Sequence, residues 1–230
     1  MAGKVVQVSN EYIMGNVNFK SETAILSTTY LGPVQYFTKF FLYRKIFIEQ
    51  YETYLKQSYR NRCYIYGANG VLTLIIPVKK QSGNATKTKD ILIDYDTSWQ
   101  RIHWNSIVSA YASSPFFEFY EDDFRHFYDS KEKYLLDLNQ KLLELILDFL
   151  EIESVIKLTG EYRKIYDGEK DYRDMLNPKK RLLKPDNRFN PCKYNQVFTA
   201  NHGFIENLSI IDLLFNEGTN ACEILVKSIK

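Results

Sequence analysis

The sequence predicts an α/β or α+β fold, with a small mixed sheet in the N-terminal half, packed with helices, and a mainly helical C-terminal half. Three observations predict it. Residues 23–49 read as strand, helix, strand. Residues 59–78 read as a hairpin around a strong turn signal. Residues 131–158 carry leucine and isoleucine at helical spacing over many turns.

In chain order, residues 1–22 are polar and aperiodic and read as an extension, with 23–230 as one domain. Residues 23–28 (TAILST) are a short apolar strand. Pro33 suits the first turn of the following helix, where its missing N–H costs nothing, and Phe37, Phe40 and Phe41 recur at helical spacing. Residues 45–49 (KIFIE) are a second strand, so the start has the form of a crossover unit. Ala68-Asn69-Gly70 joins two strand-like runs, and Pro77 ends the second. Residues 79–89 are a polar, basic loop, and 91–93 a short strand leading to Asp94. Thr97 or Ser98 caps a helix over 99–113 that stops before Pro115. Residues 116–128 are aromatic and acidic. The run 131–158 reads as one long helix closed by Gly160. Residues 161–193 carry mixed charge, three prolines and little periodicity, the character of a functional or mobile segment. Residues 196–200 suggest one more strand, and 207–215 and 219–228 two helices split by Gly218.

Composition excludes several classes. The 230 residues are 45% hydrophobic and 25% charged, which fits neither a disordered chain nor a disulfide-stapled miniprotein. A formal net charge of +2 gives no global case for nucleic acid. The first twenty residues lack the apolar core of a signal peptide, and no apolar run reaches the ~18 residues of a membrane span. A cytoplasmic protein is expected. Cys63, Cys192 and Cys222 lie far apart, so no structural metal site is expected. Glycine-rich phosphate loops, dinucleotide fingerprints, zincin helices and nucleophile elbows are absent, which leaves the cofactor open.

Four local constellations carry chemistry. In Arg60-Asn61-Arg62, strand geometry would set both arginines on one face as a clamp for phosphate or carboxylate; surface arginines on an edge strand are the plainer alternative. Trp99, His103, Ile107 and Tyr111 form a helical stripe, with Asp94 just ahead of it. A histidine there moves protons if the stripe faces a cleft, and is a core residue if it does not. Arg173 and the Lys179-Lys180-Arg181 loop offer cations to an anion, or to solvent. Tyr194-x-Gln196-x-Phe198 precedes an apolar run containing Asp212. Such a carboxylate needs a partner if buried, with Arg60, Arg62 and Arg173 as candidates.

Taken in order, these blocks resemble the WbqC-like protein family of bacteria. The resemblance rests on YLGPVQYF (30–37, with Gln35 and Tyr36), QSYRNRC (57–63), Pro77-Val78-Lys79, and Asp94 through Trp99 and His103 to SSPFF (113–117). It continues in Asp171-Tyr172-Arg173, Pro178-Lys179, Tyr194-x-Gln196-x-Phe198, and 208–215 with Gly218. It looks closest to the Bacteroidetes form, although Gly32-Pro33 stands where the family usually has two prolines. The resemblance implies a link to O-antigen and other surface polysaccharides. The expected function is then a transferase, aminoacyl (glycyl) transfer to a nucleotide-linked or lipid-linked amino sugar being one form. The alternative is a non-catalytic glycan or metabolite binder or an assembly protein. On the first reading His103 takes the proton of the attacking amine and Asp94 orients it. Arg60, Asn61, Arg62, Arg173 and Lys179 hold the anionic part, Tyr36, Trp99 and Tyr111 supply flat walls, and Gln35, Gln196 and Asp212 complete the polar contacts.

Overall fold

A computed structural model describes residues 23–81, 85–176, 178 and 185–230. The strands are β1 (Thr23–Ser27), β2 (Lys45–Glu49), β3 (Arg62–Gly67), β4 (Gly70–Ile75), β5 (Val78–Lys79), β6 (Leu92–Ile93), β7 (Val155–Leu158) and β8 (Lys170–Asp171). The helices are α1 (Val34–Leu42), α2 (Trp99–Tyr111), α3 (Phe117–Asp129), α4 (Leu135–Phe149), α5 (Thr199–His202), α6 (Ile210–Glu217) and α7 (Ala221–Lys227).

Four strands form a parallel sheet in the order β7-β2-β1-β8. β1 and β2 are in register from Thr23 opposite Lys45 to Ser27 opposite Glu49, and α1 connects them as the strand–helix–strand pattern predicts. From β1 the chain steps to β2 and then to β7. It returns across the sheet to add β8 on the far side of β1. Because the strands are parallel, their carboxyl ends share one edge. The change of direction between β1 and β8 is a topological switch point, the usual place for a ligand crevice in open parallel sheets. α1 is buried along its whole length, which its phenylalanines explain. Its one charged residue, Lys39, is ion-paired to Asp186. β3 and β4 form the expected antiparallel hairpin, closed by Gly70 at φ 100°.

Three expectations are corrected. Residues 131–158 are not one helix: α4 ends at Phe149, Glu151 takes a positive φ of 50°, and Val155–Leu158 becomes β7. Val155-Ile156 is a β-branched pair, and β2 offers it a parallel ladder. A short apolar run does not reveal its type by periodicity alone. Residues 196–200 form no strand; Thr199–His202 is a helical turn, with the Thr199 hydroxyl bonded to the Gln196 carbonyl. The third concerns the hairpin: β3 begins at Arg62, and Arg60 lies in the turn before it. The strand alternation invoked for the two arginines therefore does not apply.

The two C-terminal helices are split at Gly218, whose φ is 54°. A Cβ added there would stand 2.4 Å from the Phe116 ring. Gly218→Ala therefore combines a left-handed backbone with overpacking and should cost about 2–4 kcal/mol in urea unfolding. A variant as stable as the wild type would show that the ring has room to move.

Candidate functional site

The α2 stripe forms as expected, with Trp99, His103, Ile107 and Tyr111 all buried, but it faces the core. His103 Nε2 lies 3.2 Å from the Ile75 carbonyl, which only accepts, so Nε2 carries the proton. Nδ1 of the neutral ring then accepts from the Tyr30 hydroxyl at 2.9 Å, and that hydroxyl contacts the Tyr128 hydroxyl at 2.7 Å. The Trp99 ring packs edge-on at 5.1 Å. Burial lowers the imidazole pKa to about 4, against the opposing pull of the Ile75 carbonyl. Asp94 is not its partner. It sits at the surface, its pKa lowered by the Asp96 backbone N–H and by Lys79, whose ammonium is 2.9 Å away. Both ring nitrogens of His103 are thus committed inside the protein, and the pair expected for proton transfer is not assembled.

Polar side chains instead collect at the carboxyl edge of the parallel sheet. Glu49, at the end of β2, is fully buried. It accepts from the Tyr51 backbone N–H (2.7 Å), the Thr159 hydroxyl (3.0 Å) and the Tyr166 hydroxyl (2.8 Å), and Arg173 stands 3.6 Å away. Arg173 forks onto Asp171 at the end of β8 and lies under the Tyr162 and Tyr166 rings. Arg60 is buried; its guanidinium bonds Glu52 (2.6 Å) and the Ser27 hydroxyl at the end of β1 (2.8 Å). Every charge in this cluster is answered by protein.

A groove of about 280 Å³ lies next to it. Its cations are Lys56, Arg62 and Lys80, and Tyr54 and Asn61 supply its walls together with Gln57 and Val78; no carboxylate occurs among these described lining residues. Arg62 Nε and Asn61 Oδ1 are buried and have no hydrogen-bond partner among the described residues. Burial pushes the Tyr54 phenol up to about 12, with Arg60 and Arg62 pulling the other way, so this ring bridges the buried cluster and the groove. Gln57 holds a left-handed φ of 59°, a strained backbone of the kind that gathers at functional sites.

The remaining candidates are dispersed. Asp212 is buried and pairs with no arginine among the described residues; it accepts from Tyr111 (2.8 Å), Tyr194 (2.6 Å) and Gln196 (2.9 Å). Burial raises its pKa and those three donors hold it down. Gln35 bonds Asp186 and Asn207, and Tyr36 is buried within the core. Lys179 lies outside the described residues. Of the predicted set, only Asn61 and Arg62 line the groove, with Arg60 behind them. Sequence reading missed Tyr54, Lys56, Gln57 and Lys80 as groove-lining residues. Gln57 and Lys80 lie in segments that stood out, QSYRNRC and the basic loop, but nothing in the sequence joins the two. Among the described residues no cluster is placed to hold a metal ion, and no helix is long and apolar enough to cross a membrane.

Fold and site define an α/β protein with a cation-lined groove beside the carboxyl edge of a parallel sheet. Residues 28–184 match the WbqC-like protein family, and the chain belongs to it. It is also 24% identical over 229 residues to the "Uncharacterized protein Rv1507c" of Mycobacterium tuberculosis, covering 89% of this chain and 97% of that protein. No solved structure matches.

The His103 geometry sets a pH dependence. Its folded pKa is below the unfolded value near 6.5, so the unfolded chain binds the proton first. The stability it supports is present above pH ~6.5 and is lost as pH falls toward 4, up to about 3 kcal/mol at the full shift. Wild-type unfolding free energy should fall over this window, and His103→Gln should flatten the slope at a lower plateau. His103→Ala with an unchanged melting temperature would contradict the structural role.

Proposed function

We propose that this WbqC-like protein is a cytoplasmic binding module of surface-glycan (O-antigen type) assembly. It holds the anionic end of a nucleotide-linked or lipid-linked amino sugar in the Arg62 groove. The observation that carries this reading is charge without internal compensation. Lys56 and Arg62 line a groove whose described lining holds no carboxylate, and neither has an ion pair among the described residues, whereas Arg60 and Arg173 are neutralised by Glu52 and Asp171. Guanidinium and ammonium groups so arranged suit phosphate oxygens. The family resemblance supplies the glycan context.

The transferase reading, aminoacyl transfer to the amino sugar, calls for a group that takes a proton from the attacking amine. His103 is bonded at both nitrogens, and Asp94 is paired to Lys79 on the surface. The groove lining offers neither a histidine nor a carboxylate among its described residues. Binding is therefore the reading this geometry favours.

Calorimetric titration with nucleotide-sugars tests it. Arg62→Ala should weaken binding by about 2–5 kcal/mol, the loss of a desolvated charge-assisted contact. His103→Asn should leave affinity within a few-fold. A nucleotide-sugar that binds wild type and Arg62→Ala equally would remove the groove from the function.

A further inference from the structure

We infer that the groove reads the sugar-phosphate junction of its ligand, phosphate and an adjacent hydroxyl or amide N–H together, and neither a nucleobase nor a lipid chain. This rests on the proposed binding function and assigns the chemistry of its site.

Two of the side chains that line the groove each carry a buried polar atom, and the two atoms are of opposite character. Arg62 Nε is a donor without a partner among the described residues, and Asn61 Oδ1 is an acceptor without one. Asn61 is only 6% exposed, and its orientation is fixed. Its Nδ2 donates to the Ile76 carbonyl at 2.8 Å, so the atom left over is the oxygen. Beside it the Asn61 backbone carbonyl accepts from the Ile76 N–H, which pins both the main chain and the side chain.

Phosphate satisfies one of these atoms and not the other. Its oxygens accept from Arg62 Nε and from the Lys56 ammonium group. Fully ionised, they offer nothing to Asn61 Oδ1, and lone pairs facing lone pairs repel. A buried acceptor left unpaired costs free energy, so the preferred ligand carries a donor beside its phosphate. A sugar phosphate supplies one from a ring hydroxyl, or from the amino or acylamino group of an amino sugar.

The aromatic wall argues against a base. Tyr54 is 4% exposed, and the Lys80 ammonium sits 5.5 Å over its ring, so the ring presents no open face for stacking. The cavity, about 280 Å³, falls at the small end of ligand sites, roughly 300–1,000 Å³. Lys56, Gln57 and Lys80 leave its rim polar, which does not suit an alkyl chain.

The test compares glucosamine 1-phosphate, glucose 1-phosphate, methyl phosphate and uridine 5′-monophosphate on the full chain, by titration and by the side-chain amide NMR signal of Asn61. The two hexose phosphates should bind about tenfold or more tighter than methyl phosphate. They should shift the Asn61 amide and methyl phosphate should not, and Arg62→Ala should weaken every phosphate. Arg62→Lys, which keeps the charge and removes the Nε donor, should weaken them too and guards against a folding defect in the alanine variant. Equal affinity for methyl phosphate and the hexose phosphates would overturn the inference and leave anion binding standing. Tighter binding of the nucleotide than of either hexose phosphate would also overturn it. If no phosphate binds, the inference and the proposed function fall together.

Discussion

The buried guanidinium of Arg60 is the constraint on which the site depends. A charge that deep must be met by protein, and Glu52 and Ser27 meet it. Those partners come from the segment after β2 and from the end of β1, so Arg60 ties the turn before β3 to two strands of the parallel sheet. The backbone around it is equally committed. The Tyr59 carbonyl accepts from the Tyr30 N–H, the Arg60 carbonyl from the Asn139 side chain, and the Asn61 carbonyl from the Ile76 N–H. Three successive carbonyls are thus anchored to three different parts of the fold. The next residue, Arg62, leaves that turn in a fixed direction, and this is what preorganises a groove cation on a long and otherwise flexible side chain.

Glu49 plays the corresponding part for the sheet. Its carboxylate collects donors from the chain after β2, after β7 and from the connection between β7 and β8, and Arg173 adds a charge from beyond β8. The pairing of β8 with β1 involves only two residue pairs. Beyond that ladder the segment is tied to the sheet by the Tyr172 N–H on the Ile25 carbonyl, the Tyr43–Tyr172 hydroxyl contact and the Arg173–Glu49 ion pair. The switch point between β1 and β8 is therefore packed with internally neutralised charge, and the solvent-accessible cations lie to one side of it, beyond Tyr54.

Much of the fold was legible in the sequence, because its strongest signals are local. Pro33 and the three phenylalanines of α1 announce a helix between two β-rich runs, and Asn69-Gly70 announces a hairpin. β7 was not legible. Val155-Ile156 continues the apolar spacing of α4, and only the ladder offered by β2, more than a hundred residues earlier, turns it into a strand. The site was half legible for the same reason. Arg62 and Asn61 stand out as a polar pair beside another arginine. The sequence does not say that Arg60 is consumed by Glu52, since that depends on a tertiary contact. The α2 stripe shows the limit most clearly. Spacing placed Trp99, His103 and Tyr111 on one face correctly, but periodicity cannot tell a face that lines a cleft from one that lines a core.

The two environments of cationic side chains then separate structural from functional use. Arg60, Arg173 and Lys39 each contact a carboxylate and lie in the interior or against it, so their charges are spent on holding segments together. Structural charge carries its counter-charge with it, because a fold that left it uncompensated would pay several kcal/mol of desolvation. The groove departs from that pattern twice over. Two of its cations, Lys56 and Arg62, have no carboxylate partner among the described residues, and it is lined by two side chains that each bury a polar atom with no partner there. The buried, unpaired donor and acceptor contribute nothing to folding and are a cost to the empty protein. A ligand that carries an anion beside a donor, as proposed, would answer the cations and the buried pair together.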